Sequence, residues 1–513
     1  MKNTLKVLCL ADNSSADAWG HKLTEKFCKQ NNFVFRGSLA GVNTVKNGCY
    51  YIGPVVYQQK DIIEQAKKFD RIVLIDQSQE QFSHSRIFLA MWKLVKDIQS
   101  SGLNVEIVNK ENMAYLDNWE KIFTENKSIC MNPWILMHDG QDEFTNLCGR
   151  NWKKIKKRKD IKNWKTDPDY LKVRQKMLKG EKLRGCQVCY DFEEKGMRDM
   201  RWTDSFDWIT KLKLKNINDL QKINDPVYFE VRPSNKCNLK CRMCRPKWSH
   251  LVAEETKKIT DKKFQSLVIQ NERDPIVNTP SFNLLNLDTM ARVYIAGGEP
   301  TIMPEVYEFL RNCIAKEKTD FEININTNAV KISEPLFDMF KKFPKLWFTC
   351  SIDGTPKTTE YVRWGTISKT QIKNIHKLKK NGAGIHIISV ISIYNVHEIG
   401  DIMEFFDNEL PYATIQLNHA GYRHNLLTAW NHPNKELVLK SLEKAKQTKC
   451  YYHQERGAKT IVDALYEHYS KNPVLDKGTL SNFFYYNDTI DKHRGSKLAD
   501  YIPELEDCRK YIK

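Results

Sequence analysis

Apolar residues recur along this chain with two periods. Short β-branched runs, read as strands, are separated by stretches whose apolar positions fall three and four apart, read as amphipathic helices. In residues 1–125 the strand candidates are Lys6–Leu10, Arg71–Ile75 and Val105–Val108. Helical periodicity covers Asp17–Lys29 and Phe88–Ile98, where Leu89, Trp92, Leu94 and Val95 are apolar. Strands alternating with helices predict a parallel sheet, an α/β Rossmann-like unit. Asp12, Ser14, Asp76 and Ser78 fall at the C-terminal strand ends, where such sheets bind ligands. No glycine-rich phosphate loop accompanies them, so a structural, docking or recognition role is the better reading.

The strand–loop–helix pattern resumes more strongly from Val227 to Asn418. Strands are predicted over Val227–Val231, Arg292–Ala296, Glu322–Asn326, Trp347–Ile352, Ile385–Ile393 and Thr414–Leu417. Helices are predicted over Pro304–Lys316, Ser333–Lys342 and Ser368–Asn381. Five crossovers at this spacing predict a partial (β/α)6 TIM-like barrel, with functional groups at the C-terminal strand ends. Residues 126–205 have few long apolar runs and hold Cys130, Cys148, Cys186 and Cys189. A segment poor in apolar bulk but rich in cysteine often needs a metal to fold. The tail is read as helical over Lys435–Gln447 and Ala458–Ser470, with a polar stretch, Asn472–Ser496, that carries no motif. Four regions result: 1–125, an accessory α/β domain; 126–205, a cysteine-rich module; 206–430, the core; and 431–513, a helical extension.

Composition narrows the class. The chain has 513 residues, 41% of them hydrophobic, enough for several packed cores. No apolar run is long enough to span a bilayer. The first residues lack the long apolar region and cleavage site of a signal peptide, so a cytoplasmic, reducing location is expected. There, clustered cysteines read as metal or redox sites rather than disulfides. Seven of the 14 cysteines stand in motif-like settings. The net charge of +18 and the basic run Arg150–Lys165, with Trp152 and Trp164 interleaved, make a nucleic-acid-binding or modifying protein one alternative. The abundance of Lys, Asn and Ile together favours a solvated, compositionally biased face.

The sharpest chemistry lies in CNLKCRMC. Cys237, Cys241 and Cys244 follow a strand and offer three thiolates. Local cysteine runs of this kind wrap one iron–sulfur cluster. A cubane has four irons, so three thiolates leave one iron open to a small molecule. A zinc site is the simpler alternative for these cysteines, and zinc at all seven would make a non-catalytic metalloprotein.

With AGGEP at 296–300 ending the next strand and SIDG at 351–354, the chain resembles the radical S-adenosylmethionine (SAM) enzymes over about residues 227–418. The upstream Cys130-Met-Asn-Pro-Trp, Cys148 and GCQVCYDFEEKGMR resemble a twitch domain, the short SPASM-like auxiliary-cluster module. The resemblance implies a [4Fe–4S] cluster on Cys237, Cys241 and Cys244, with SAM chelating the open iron. It implies that Gly297 and Gly298, in Gly297-Gly298-Glu299-Pro300, present backbone to the SAM amino group. It further implies that Asn326, Asn328 and Ser351 contact the ribose or carboxylate, that Arg363 pairs with the carboxylate, and that Leu417 lies near the adenine. Met243 stands where the family often has an aromatic residue packing on adenine; its polarizable thioether also packs against rings. Cys130, Cys148, Cys186 and Cys189 would hold an auxiliary [4Fe–4S] cluster; as residues alone they fit zinc equally. The implied reaction is reductive cleavage of SAM to a 5′-deoxyadenosyl radical that takes hydrogen from a substrate. A peptide or protein is the first candidate substrate, and a flavodoxin or ferredoxin the electron donor.

Overall fold

The computed structural model describes residues 5–11, 28–38, 46, 48–52, 59–75, 85–108, 114–139, 144–149, 151, 153–194, 200–268, 282, 285–420, 425–452, 458–471 and 475–512. Asp12, Ser14, Asp76, Ser78, Arg150 and Trp152, and most of the Asp17–Lys29 helix, lie outside them. Two compact units are present: residues 1–136, 150–153 and 161–225, and residues 137–149, 154–160 and 226–513. No helix among the described residues is long and apolar enough to cross a membrane.

The first unit contains the strands Lys6–Ala11 (β1), Phe35–Ser38 (β2), Gly48–Ile52 (β3), Arg71–Ile75 (β4) and Val105–Val108 (β5). All pair in parallel, in the order β2-β3-β1-β4-β5. The three predicted strands are present, and β2 and β3 join them. Both additions are short and glycine-bearing, and the register slips between Phe35 and Gly37; pairing rather than local pattern makes them strands. Helices Ser85–Ser100, Ala114–Glu125 and Met200–Lys211 share an aromatic core. Trp92 and Trp202 stack on Phe206, with centroids 5.6 and 5.4 Å apart, and Phe123 meets Phe206 at 5.3 Å. Buried Trp119 donates its indole N–H to the Leu214 carbonyl at 2.7 Å.

The second unit is built on one nine-stranded sheet. Its strands are Leu136–Asp139 (β6), Phe144–Asn146 (β7), Lys156–Lys157 (β8), Tyr228–Val231 (β9), Arg292–Ile295 (β10), Glu322–Thr327 (β11), Leu346–Ser351 (β12), Gly384–Ile391 (β13) and Thr414–His419 (β14). The order is β14-β13-β12-β11-β10-β9-β6-β7-β8. The last six strands in sequence, β9 to β14, lie side by side in chain order and all run parallel. β6, β7 and β8 add an antiparallel edge.

Side-chain alternation divides this sheet into two faces. Ile323, Ile325, Phe348, Cys350, Ile385, Ile387 and Leu417 are buried in the main hydrophobic core. Helices Pro304–Ala315, Glu334–Phe340, Ser368–Lys380, Ile399–Glu409, Lys435–Ala445 and Ala458–Ser470 contribute to the same core. The other face is polar. The register Arg292↔Glu322, Tyr294↔Asn324↔Trp347 and Asn326↔Thr349↔His386 lines up its residues. Arg292 meets Glu322 through Nε at 2.8 Å and Nη2 at 2.9 Å.

The tail departs from expectation. Much of Asn472–Ser496 is one helix, Lys477–Arg494. Asp476 caps its start, accepting from the Thr479 amide at 2.9 Å, and Gly495 ends it at φ +67°. Its buried face, Leu480, Phe483, Phe484, Asn487, Ile490 and Asp491, has helical spacing. Two of those six residues are polar, which hides the period in the sequence.

Candidate functional site

The cysteine loop leaves the C-terminal end of β9 and is fastened along its length. Gly298 N–H donates to the Ser234 carbonyl at 3.0 Å, and Glu299 N–H to the Lys236 carbonyl at 2.8 Å. Cys237 N–H donates to His250 Nδ1 at 3.1 Å. The amides of Lys240 and Arg242 donate to the carbonyls of Trp364 (2.9 Å) and Val362 (2.7 Å), and Cys244 N–H closes a turn on the Cys241 carbonyl at 3.0 Å.

The two glycines have a steric reason. Gly297 sits at φ +129°, and a Cβ there would stand 2.5 Å from the Ser234 carbonyl oxygen. A Cβ on Gly298 would collide with the Lys236 carbonyl oxygen and stand 2.6 Å from the Asn235 carbonyl. Glycine is what lets the cysteine loop lie directly on the end of β10.

Glu299 is fully buried and serves as a bracket. It accepts from Thr301 N (3.1 Å), Thr301 Oγ1 (2.7 Å), Thr327 Oγ1 (2.6 Å) and Asn328 N (2.7 Å). Burial raises its pKa against the pull of those donors. The carboxylate therefore ties the end of β10 to the end of β11. Pro300, beside it, opens a buried 3-10 turn. Asn328 Nδ2 donates to Asn238 Oδ1 at 2.8 Å, linking β11 to the cysteine loop.

The other anticipated residues divide between the sheet's faces. Asn326 Oδ1 is buried and has no hydrogen-bond partner among the described residues. By register Ser351 lies on this same polar face, since Asn326 pairs with Thr349. Arg363 Nε meets fully buried Asp353 Oδ2 at 2.7 Å. Asp353 Oδ1 also accepts from Val390 N at 2.7 Å. Asp353 was not singled out from sequence, although its SIDG context was. Leu417 packs in the helix-side core, on the face opposite Asn326. Met243 packs against the cluster that holds Phe483 and Phe484.

The thiols are costly to ionise. Burial pushes Cys237 up to about 12 and raises Cys241 and Cys244. Mutual charge adds to this, from Cys241 on Cys237 and from both of these on Cys244. Arg363 opposes it at Cys241 and Cys244, and it keeps its own proton because Asp353 and these sulfurs outweigh its desolvation. Three half-buried thiols within electrostatic reach of one another fit a cationic group that several thiolates share. Among the described residues no three Cys, His, Asp or Glu side chains are placed to hold a metal ion. A cubane's thiolates bind separate irons and need no single point of convergence.

Two of the upstream cysteines, Cys130 and Cys186, lie within electrostatic reach of each other. Within the first unit, burial pushes Cys130 up to about 12, and the charge of Cys186 adds to the shift. Ser205 Oγ lies 3.9 Å from Cys130 Sγ, and Asn151 Nδ2 lies 3.3 Å from Cys186 Sγ. Cys189 is buried one turn on, in the helix Gln187–Glu194. Cys148 belongs to the second unit, just past β7.

Comparison with known families decides what this loop is similar to. Residues 231–406 match the Radical SAM superfamily. The matched segment begins at the last residue of β9 and contains all three loop cysteines, the two glycines, Asn326 and Arg363. No curated protein matches the chain. Among solved structures it is similar to native anSMEcpe with bound AdoMet and Cp18Cys peptide, at 18% identity over 43% of this chain and 59% of that one, with a TM-score of 0.29. It is similar to Streptococcus suis SuiB bound to S-adenosylmethionine, at 18% identity over 47% and 54% of the two chains, TM-score 0.29. It also matches SuiB bound to precursor peptide SuiA, at 15% identity over 63% and 64%, TM-score 0.29. The match thus spans little more than half the length of the first two chains.

Proposed function

We propose that this chain is a radical SAM enzyme whose second unit is a partial (β/α)6 barrel carrying the reaction. The supporting observation is that the radical SAM segment contains a loop of three half-buried thiols, seated on Gly297 and Gly298 with no room for a Cβ. When bound, a [4Fe–4S] cluster and SAM would supply one-electron cleavage of the sulfonium and a 5′-deoxyadenosyl radical able to take hydrogen from substrate. The chain supplies position and exclusion of water.

Cys237, Cys241 and Cys244 would hold the cluster. Asn326 offers a buried, unpartnered acceptor on the polar face. Arg363, braced by Asp353, places a fixed positive charge beside the thiols. Glu299 and Asn328 keep the loop ends in register without spending an oxygen of Glu299 on a ligand. Cys130, Cys186 and Cys189, with Cys148, would form a twitch-like auxiliary site that passes electrons. A peptide or protein is the proposed substrate, flavodoxin or ferredoxin the proposed electron donor, the cytoplasm the proposed location, and residues 1–125 a recognition domain.

Anaerobic protein reconstituted with iron and sulfide, then given dithionite and SAM, should release 5′-deoxyadenosine even without substrate. Cys237→Ala should abolish that release and remove one cluster's iron, whereas Cys186→Ala should lower iron but leave SAM cleavage. Colourless, zinc-loaded wild-type protein that forms no 5′-deoxyadenosine would refute the reading.

A further inference from the structure

Helix Lys477–Arg494 lies far from the cysteine loop in sequence, yet it meets the loop through side chains of full charge. Arg242, between the second and third cysteines, is 1% exposed. Its guanidinium lies over the Tyr361 ring, 3.6 Å from the centroid. Nε donates to the Tyr361 carbonyl at 3.1 Å, Nη1 to Asn487 Oδ1 at 3.3 Å, and Nη2 to Ser496 Oγ at 3.4 Å and to Asp491 Oδ1. Asp491, 6% exposed, accepts in addition from Tyr361 OH at 2.9 Å and Ser496 Oγ at 2.6 Å. Asn487 Oδ1 also accepts from Tyr394 OH at 2.7 Å.

The same helix takes hold of the loop backbone. Tyr486 OH donates to the Arg242 carbonyl at 3.0 Å, and Arg494 Nη2 to the Lys240 carbonyl at 2.8 Å. Arg494 is itself fixed by Glu255, at 2.9 and 2.6 Å. On its other flank the loop is pinned by the Lys240 and Arg242 amides described above. Both carbonyls and both amides of the residues around Cys241 are thus engaged.

A buried ion pair adds little net stability over an apolar core, because desolvation consumes most of its attraction. What it does enforce is one geometry, since a partner that moves leaves a charge buried and unpaired. We propose that helix Lys477–Arg494 is a clamp that fixes the cysteine loop, with Asp491 as its positioning residue and Tyr486 and Arg494 as its grips on the backbone. This rests on the reading that Cys237, Cys241 and Cys244 hold an iron–sulfur cluster.

The test uses full-length, anaerobically reconstituted protein, with the cluster at this site defined as the iron that Cys237→Ala lacks. Asp491→Asn keeps the shape but removes the charge. It should lose the site's iron to an iron chelator at least about tenfold faster than wild type. The electron paramagnetic resonance signal of its reduced cluster, and the change that SAM causes in it, should also differ from wild type. Tyr486→Phe and Arg494→Lys, which each alter one grip, should show smaller increases in the same rate. A folded Asp491→Asn with wild-type loss rate and wild-type spectrum overturns the clamp. Where Asp491→Asn does not fold, wild-type rates and spectra in both Tyr486→Phe and Arg494→Lys overturn it instead. Iron in Cys237→Ala equal to wild type overturns the cluster reading itself, and the clamp with it.

Discussion

Gly298→Ala tests the seat of the cysteine loop most directly. Ordinary contact for an added Cβ begins at 3.4 Å, and here it would stand 2.6 Å from both the carbon and the oxygen of the Asn235 carbonyl. The backbone leading to Cys237 must therefore retreat by at least 0.8 Å, the difference between those two distances, and further to clear the Lys236 oxygen. Overpacking of this kind costs about 1–3 kcal/mol. Stretching the Gly298–Ser234 hydrogen bond, 3.0 Å long, adds about 1 kcal/mol. A loss of roughly 2–4 kcal/mol should lower the melting temperature by roughly 4–10 °C. The displacement falls on the segment that leads into the first thiol, so iron and sulfide per chain should drop toward the Cys237→Ala value while the far-ultraviolet circular dichroism stays unchanged. Gly478→Ala is the control. Its Cβ meets only Asp476 Oδ1, at 3.4 Å, inside a helix, so stability should rise by about 0.5–1 kcal/mol with iron unaltered. A Gly298→Ala protein with wild-type melting and wild-type iron would refute the seating argument.

Three further outcomes are expected. Burial raises Glu398 from its ordinary 4.5 to about 7, so the unfolded chain releases this proton first. The stability held below pH 4.5 is then lost, by roughly 3–4 kcal/mol, as pH rises through 7; melts of Glu398→Gln against pH should lack that slope, and parallel curves would disprove it. Asp353→Asn strands the Arg363 guanidinium and should cost about 3–5 kcal/mol in urea unfolding, a loss under about 1 kcal/mol being the contrary result. Trp119→Phe leaves the Leu214 carbonyl without its donor and should destabilise the first unit by about 1–3 kcal/mol, read by denaturant unfolding at the tryptophan-rich core.

Strands β9 to β14 of the second unit were legible because each buries one face against helices. Val293, Ile323, Ile325, Phe348, Ile385 and Ile387 are apolar for that reason, and period-two alternation follows from it. The three thiols and the Gly297-Gly298 pair were legible because their spacing is local. β2 and β3 were not, since short strands with Gly37 and Gly48 acquire their identity only by pairing beside β1. Nor was the edge β6-β7-β8, whose two- to four-residue strands carry little pattern of their own.

The local sequence determined the loop's composition: three sulfurs in eight residues, and two glycines small enough to lie against the loop backbone. Tertiary structure decided what holds those atoms still. Asp491 and Asn487 read as polar residues of a solvated tail until the fold buries them against Arg242, about 250 residues away. A charge can be buried only where its partner already waits, and that pairing is written in space rather than along the chain.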